Sequence, residues 1–379
     1  MVLSPVIVHY SVGVTDAHNT PERILYEKRR MSDPLSRSGP SRRNLMRMAA
    51  VGGAAAGLSA VTLSTAIAET SSQFPADFAY PEPAGPSLAL WGSSSFDDAR
   101  VTEGVPVGFD ARIDRLLNSY LGVPILKFGR GGETSTNIAT RRGVEELTTY
   151  LQFSDDILPA EGTDTVKLLS KNIEWNQNTY VPGFVQGIPC VLDAADQESG
   201  FYTFTRTVTG QNRYAPAETG ASDFVSYQSV LSKSSHHVIQ VGRNNLQEQD
   251  LIRKNTEQCF AMAPQKTLVL GHFRYKSDGP ESERTKNVLA YNAWAKTTYG
   301  DNFIDPEEWI VENTKQTWLR YGDLMGSGVW DKKDDQADGE EGKIPRSLYA
   351  SDGVHFNGWG YLALARLIEA KVNELGWFA

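Results

Sequence analysis

A chain of 379 residues with 40% hydrophobic and 10% aromatic content can bury a large core in one or two domains, which excludes a disordered or fibrous polymer. Its formal charge of −9, from 46 acidic and 37 basic residues, argues against a nucleic-acid partner, because that binding rests on lysine and arginine neutralising phosphate. No stretch concentrates basic residues, and the balance fits a soluble protein with a neutral or cationic ligand.

In chain order, residues 1–40 read as an extension. Residues 42–68, RRNLMRMAAVGGAAAGLSAVTLSTAIA, read as a twin-arginine export signal cut after Ala68. The signature is a pair of arginines, an uncharged run of small and apolar residues from Met48, and a closing Ala-Ile-Ala. A membrane helix competes with this reading, but the glycine and alanine content and the small-x-small end count against it. Met31 would give the signal a more ordinary start. Residues 69–86 then form a linker whose FAYPEPAGP stretch cannot be a central strand, and the folded domain spans 87–379. Export would place Cys190 and Cys259 in an oxidising compartment, where they would bridge if the fold brought them together.

From Ser87 the chain alternates. SLALWG reads as a strand, VGFDARIDRLLNSYLG as a helix, VPILKFG as a second strand and GVEELTTYLQF as a helix. The pattern returns with HHVIQVG, a helix around residues 246–261, KTLVLGHF, a helix over RTKNVLAYNAWAKTTYG, NFID, and a closing helix over WGYLALARLIEAKVNELG. Strand and helix taking turns imply an α/β layer with a parallel sheet. Residues 160–225 differ: TVKLLSKNIEW, GFVQGIPCVLDAA and GFYTFTRTVTG are β-rich and separated by turn residues, as in an inserted antiparallel subdomain. Its Trp175, Tyr180, Phe184, Phe201, Tyr202 and Phe204 suit either a sugar platform or the subdomain's own core, and the core is the better reading. In DKKDDQADGEEGKIP, counting from Asp334 puts Pro345 where a calcium loop needs a bidentate glutamate, so residues 331–345 read as a solvated acidic loop and no metal is expected.

Near the C-terminus, SDGVHFNGWGYLALARLI sets Asp352 three residues before His355, ahead of a helix. A carboxylate so close can hold one imidazole nitrogen and fix the tautomer, while the other nitrogen takes a proton from a nucleophile. Spacing alone better suits a surface histidine beside a loop aspartate. His236, His237 and His272 have no acidic residue at similar spacing, and His236 and His237, which open an apolar strand, read as packing or strand-end residues.

Four blocks in order resemble the SGNH, or GDSL-type, hydrolase family of esterases and lipases. WGSSSF stands where that family has Gly-Asp-Ser after its first strand, and GRGGETS (129–135) where it has a glycine-bearing loop after the second. VGRNN (241–245) matches its Gly-x-Asn-Asp block, and DGVHFNGWGY its closing Asp-x-x-His block. The resemblance implies a three-layer flavodoxin-like SGNH hydrolase fold with a parallel sheet, carrying residues 160–225 as an inserted β-rich subdomain. It makes Ser94 the nucleophile, His355 the base and Asp352 the residue that orients it. Ser93 replaces the family's aspartate, and Ser93 or Ser95 remains an alternative nucleophile. The implied oxyanion donors are the N–H of Ser94, the N–H of Gly132, with Gly131 as runner-up, and the side-chain amide of Asn244, which by itself also suits a turn cap. The resemblance thus implies an exported serine esterase needing no cofactor, with a small-molecule or polysaccharide ester as substrate and acylated extracellular carbohydrate favoured over triglyceride. No integral membrane segment is expected in the mature chain, and the oligomeric state stays open. A non-catalytic carbohydrate-binding protein on a degenerate scaffold is the competing reading.

Overall fold

The computed structural model describes residues 85–168, 180–196, 201–217 and 219–378. The 42–68 segment read as an export signal, residues 69–84 of the expected linker, Trp175 and the side chain of Tyr180 lie outside the described residues.

The unbroken apolar run LALWG becomes strand β1 (Leu88–Gly92), with every residue buried. Period-two alternation divides it between two cores, as a central parallel strand covered on both faces requires. Leu88 and Leu90 face a core shared with the helices Ile113–Leu121 and Gly358–Glu374, whereas Ala89 and Trp91 face one shared with Ser135–Arg142, Gln249–Ala261 and Glu283–Tyr299. Strand β2 (Ile125–Gly129) pairs parallel with β1, Leu90 opposite Lys127.

The chain then builds a second β structure from β3 (Thr149–Gln152), β4 (Ile157–Leu158), β5 (Thr163–Leu168), β6 (Tyr180–Val185), β7 (Ile188–Asp196), β8 (Phe201–Arg206), β9 (Arg213–Tyr214) and β10 (Asp223–Ser226). Six of these close an antiparallel barrel in the order β10-β3-β5-β8-β7-β6, while β4 and β9 make a two-stranded ribbon. The chain returns with β11 (His236–Ile239), β12 (Thr267–Leu270) and β13 (Phe303–Ile304), completing a parallel sheet of order β13-β12-β11-β1-β2. Among the described residues, no helix is long and apolar enough to cross a membrane.

This architecture overturns the expected three-layer flavodoxin-like SGNH fold carrying an inserted β-rich subdomain. The second β structure is a closed barrel around its own apolar core, which includes Leu151, Val166, Val185, Leu192, Phe204 and Phe224. Its strands run from Thr149 to Ser226, beyond the expected 160–225 at the N-terminal end, and β3 is one of the two that complete the closure. β3 occupies a stretch expected to be helical. Only Glu145–Leu147 forms a turn of 3-10 helix, and Thr149 and Leu151 then point inward while Tyr150 and Gln152 do not, so the segment follows a strand's period. Tyr202 and Phe204 are buried in the barrel core and Phe184 is buried against Tyr227, but Phe201 is exposed. Cys190 and Cys259 are both buried and free, one in the barrel and one in the sheet's core, so the bridge considered from sequence does not form.

Residues 331–345 also depart from the expected solvated loop. Lys333–Glu340 is helical, and Asp335 and Asp338 are buried. Asp338 accepts from Arg346 Nε at 2.8 Å and Nη2 at 2.7 Å, and Asp335 accepts from Ser347 N–H at 2.9 Å, so these carboxylates fasten the chain just before the histidine loop.

One barrel carboxyl lacks such support. Asp223 Oδ1 is buried without a hydrogen-bond partner, and burial pushes its carboxyl up to about 6. The native state therefore keeps this proton longer than the unfolded chain does, and stability falls as pH rises from about 4 to about 6. Asp223→Asn is expected to gain about 1 kcal/mol over the parent at pH 8, discounting for partial exposure, and little at pH 4. Thermal unfolding at the two pH values checks this, and an equal gain at both would rule it out.

Candidate active site

All five strands of the sheet are parallel, so β1, β2 and β11 end at one edge, and β1 lies between β2 and β11 where the direction of connection reverses. Ligands of open α/β sheets bind in that crevice. Gly92 and Ser93 lead from β1 into a short 3-10 turn, Ser94–Phe96. Gly129, ending β2, is pressed on this turn: a Cβ there would lie 2.2 Å from the Phe96 carbonyl carbon. Ser94 O accepts from Asp97 N–H at 3.2 Å and from Tyr361 Oη at 3.1 Å, which pins the turn from two sides.

The three serines separate clearly. The hydroxyl oxygens of Ser93 and Ser95 are shut from solvent and have no partner. Ser94 is 8% exposed, and its hydroxyl is not among the enclosed, unpartnered atoms. As the first residue of the turn, Ser94 has an N–H with no intrahelical acceptor.

The GRGGET loop is tied to the same turn by Arg130 N–H on Gly92 O at 3.1 Å and Gly131 N–H on Asp97 Oδ2 at 3.2 Å. Gly131 has thus committed its donor. Gly132 takes a positive φ of 79°, where glycine is favoured, and its N–H makes no hydrogen bond among the described residues. Beneath it, the buried Glu133 carboxylate accepts from Arg141 Nε at 2.7 Å and 3.0 Å. Asn244 Nδ2 donates to Glu133 O at 2.8 Å, which spends one of its two hydrogens and sets the amide against this loop.

On the other side, Asp352 Oδ1 accepts the N–H groups of Val354 at 2.9 Å and His355 at 3.0 Å, and Oδ2 accepts from His355 Nδ1 at 2.8 Å. Partial burial raises the Asp352 carboxyl, but the bonds from the His355 ring and from the two backbone N–H groups outweigh it and hold the group well below the usual carboxylate range. A charged carboxylate only accepts, so Nδ1 carries the proton and Nε2 is left as the acceptor of neutral His355. No hydrogen bond joins Ser94 and His355 in this arrangement; such contacts often tighten only around substrate.

Several supporting residues escaped the sequence reading. Arg100 Nε donates to Asp352 Oδ2 at 3.0 Å, and Glu103 Oε2 accepts from Ser351 N–H at 2.7 Å, so the segment after the serine turn clamps the acid. Arg243, buried beside Asn244, donates to Phe273 O at 2.8 Å and to Val354 O at 3.0 Å, joining the asparagine loop to the histidine loop. None of these contacts has a local spacing that could announce it. Among the described residues the remaining histidines pack against aromatic rings or the sheet: His236 lies against Trp377, and His237 and His272 are buried. His237 Nδ1 accepts from Trp91 Nε1 at 3.3 Å and burial, then Arg142, pushes it down to about 2; His272 is held down to about 3, mainly by burial.

The arrangement can therefore present one hydroxyl, an oriented imidazole and free N–H donors at a single sheet edge. Set against models of protein families and against curated proteins, the chain matches none.

Proposed function

We propose that the protein is a serine esterase of the SGNH type, exported by its 42–68 signal, that hydrolyses carboxylic esters through Ser94, His355 and Asp352. The observation that carries this reading is the Asp352–His355 pair on the same sheet edge as Ser94, the one hydroxyl of the serine triplet that is not enclosed.

In this mechanism His355 Nε2 takes the Ser94 proton as Oγ attacks the ester carbonyl. The negative oxygen of the tetrahedral intermediate is met by the N–H groups of Ser94 and Gly132 and by the remaining Nδ2 hydrogen of Asn244. Collapse expels the alcohol, which His355 protonates, and leaves an acyl group on Ser94. Water, deprotonated by His355, then releases the acid. Asp352 stays charged throughout and stabilises the imidazolium. An acyl or acetyl group on extracellular carbohydrate is the preferred substrate class, in keeping with export.

A fluorophosphonate probe tests the reading, because only an activated serine reacts rapidly. The parent should be labelled and Ser94→Ala should not. An unlabelled parent would instead favour a carbohydrate-binding protein without catalysis. Asn244→Ala is expected to lower kcat about 100-fold or more with little change in KM, as for loss of one preorganised oxyanion donor. An equal rise in KM at constant kcat would place Asn244 in ground-state binding only.

A further inference from the structure

After β12 the chain passes through residues 271–282 into the helix Glu283–Tyr299, and this connection lies against the histidine loop, with Lys276 N–H donating to Gly353 O at 2.8 Å. Within it, two guanidiniums share the ring of Tyr275. The central carbon of Arg284 lies 3.7 Å from the ring centroid and that of Arg243 lies 5.3 Å away. Arg243 is the residue whose Nη2 holds Val354 O, next to His355.

The two cations differ in what satisfies them. Arg243 spends its Nη hydrogens on backbone carbonyls. Arg284, half-buried, makes no hydrogen bond or ion pair among the described residues, and its Nη1 is enclosed without a partner. Nearby carboxylates are engaged elsewhere: Glu281 pairs with Lys286 at 3.1 Å, and Asp278 accepts Tyr275 N–H at 2.7 Å. Among the described residues neither guanidinium has a carboxylate within ion-pair distance, although the chain as a whole is acidic. Helix stability does not account for Arg284 either, because a cation in a helix's first turn opposes the macrodipole. A guanidinium presents a planar fork of donors that fits carboxylate and phosphate oxygens, and one withdrawn from water without a partner is costly until an anion supplies it.

We propose that Arg284, laid flat on Tyr275 beside the His355 loop, forms a subsite for an anionic group, carboxylate or phosphate, carried by the ester substrate near its scissile bond. The proposal rests on the esterase reading and names a feature of its substrate. It also departs from the neutral or cationic ligand suggested by net charge, since the field at the site is set by the groups that line it and not by the total.

The test uses three acetyl esters that differ only opposite the ester on one aromatic ring: 4-acetoxybenzoate, 4-acetoxyphenyl phosphate and methyl 4-acetoxybenzoate. The parent should favour at least one anionic ester over the neutral one by tenfold or more in kcat/KM, chiefly through KM. Arg284→Gln should remove that preference while leaving the neutral ester within twofold, and Arg284→Lys should keep part of it. Which anionic ester gains more distinguishes a carboxylate from a phosphate subsite. Fluorophosphonate labelling at the parental rate reports that each variant is folded. A labelled, active parent with no anionic preference, or an Arg284→Gln that slows all three esters alike, overturns the subsite and leaves the esterase intact. Absence of both labelling and turnover in the parent removes the esterase reading and the subsite with it.

Discussion

Ser94→Ala is expected to lower turnover of a short-chain aryl ester by about 10⁴-fold or more, leaving only what the oxyanion donors and binding supply without a nucleophile. The neighbours provide the controls. Ser93 and Ser95 bury hydroxyls that have no hydrogen-bond partner, so Ser93→Ala and Ser95→Ala remove groups that contribute nothing to bonding and should keep both fold and activity near the parent's. Ester hydrolysis followed by released chromophore checks all three variants. Loss of activity in Ser93→Ala or Ser95→Ala, with Ser94→Ala unaffected, would show that the serine turn is read one residue out of register.

His355→Ala should cost a comparable factor, since among the described residues no other imidazole is available at this edge: His237 and His272 are buried and held neutral in the sheet's cores. Asp352→Asn should cost less than His355→Ala, because the carboxylate orients the ring and stabilises its charged form without carrying the proton away. Asp352, with its pKa depressed, stays ionised as pH falls through the working range, so its orienting charge is kept there. A fully active His355→Ala would exclude His355 as the base.

The blocks that form the candidate site were legible in the sequence because each is short and local. The Asp352–His355 spacing becomes a hydrogen bond of 2.8 Å within one turn, and a glycine beside an apolar run marks where β1 stops. Partnerships between distant segments could not be read. The helix Ser135–Arg142 buries seven of its residues, most of them polar, so it has no apolar stripe to announce it. It is held instead by bonds such as Arg141 Nη1 to Gln228 Oε1 at 2.7 Å and Asn255 Nδ2 to Ser135 Oγ at 2.9 Å. The acidic run 331–345 misled for the same reason: Asp338 is buried where Lys343 and Arg346 turn back on it. The barrel's limits were missed because β3 and β10 are four residues each, and TYLQ and DFVS give too few alternations to outweigh their surroundings. Replacing residues 165–220 with a linker would thus strip β6, β7 and β8 and leave β3 and β10 paired only with each other; an excision has to span 149–226.

The pairing of β1 with β11 has a consequence for how the molecule assembles. Trp91 and His237, bonded across these neighbouring strands, are separated by 146 positions in the chain, and the whole barrel lies between them. Closing so long a loop carries an entropic cost that grows with its length, and contacts of this span slow the search for the native topology. A barrel that condenses first gathers most of the intervening chain and shortens the effective loop that β11 must close. Asn244 and His355 lie on the far side of that loop from Ser94 and Gly132. The groups proposed for the site can therefore meet only once that loop has closed, and a defect inside the barrel, which holds none of them, is expected to delay assembly of the site.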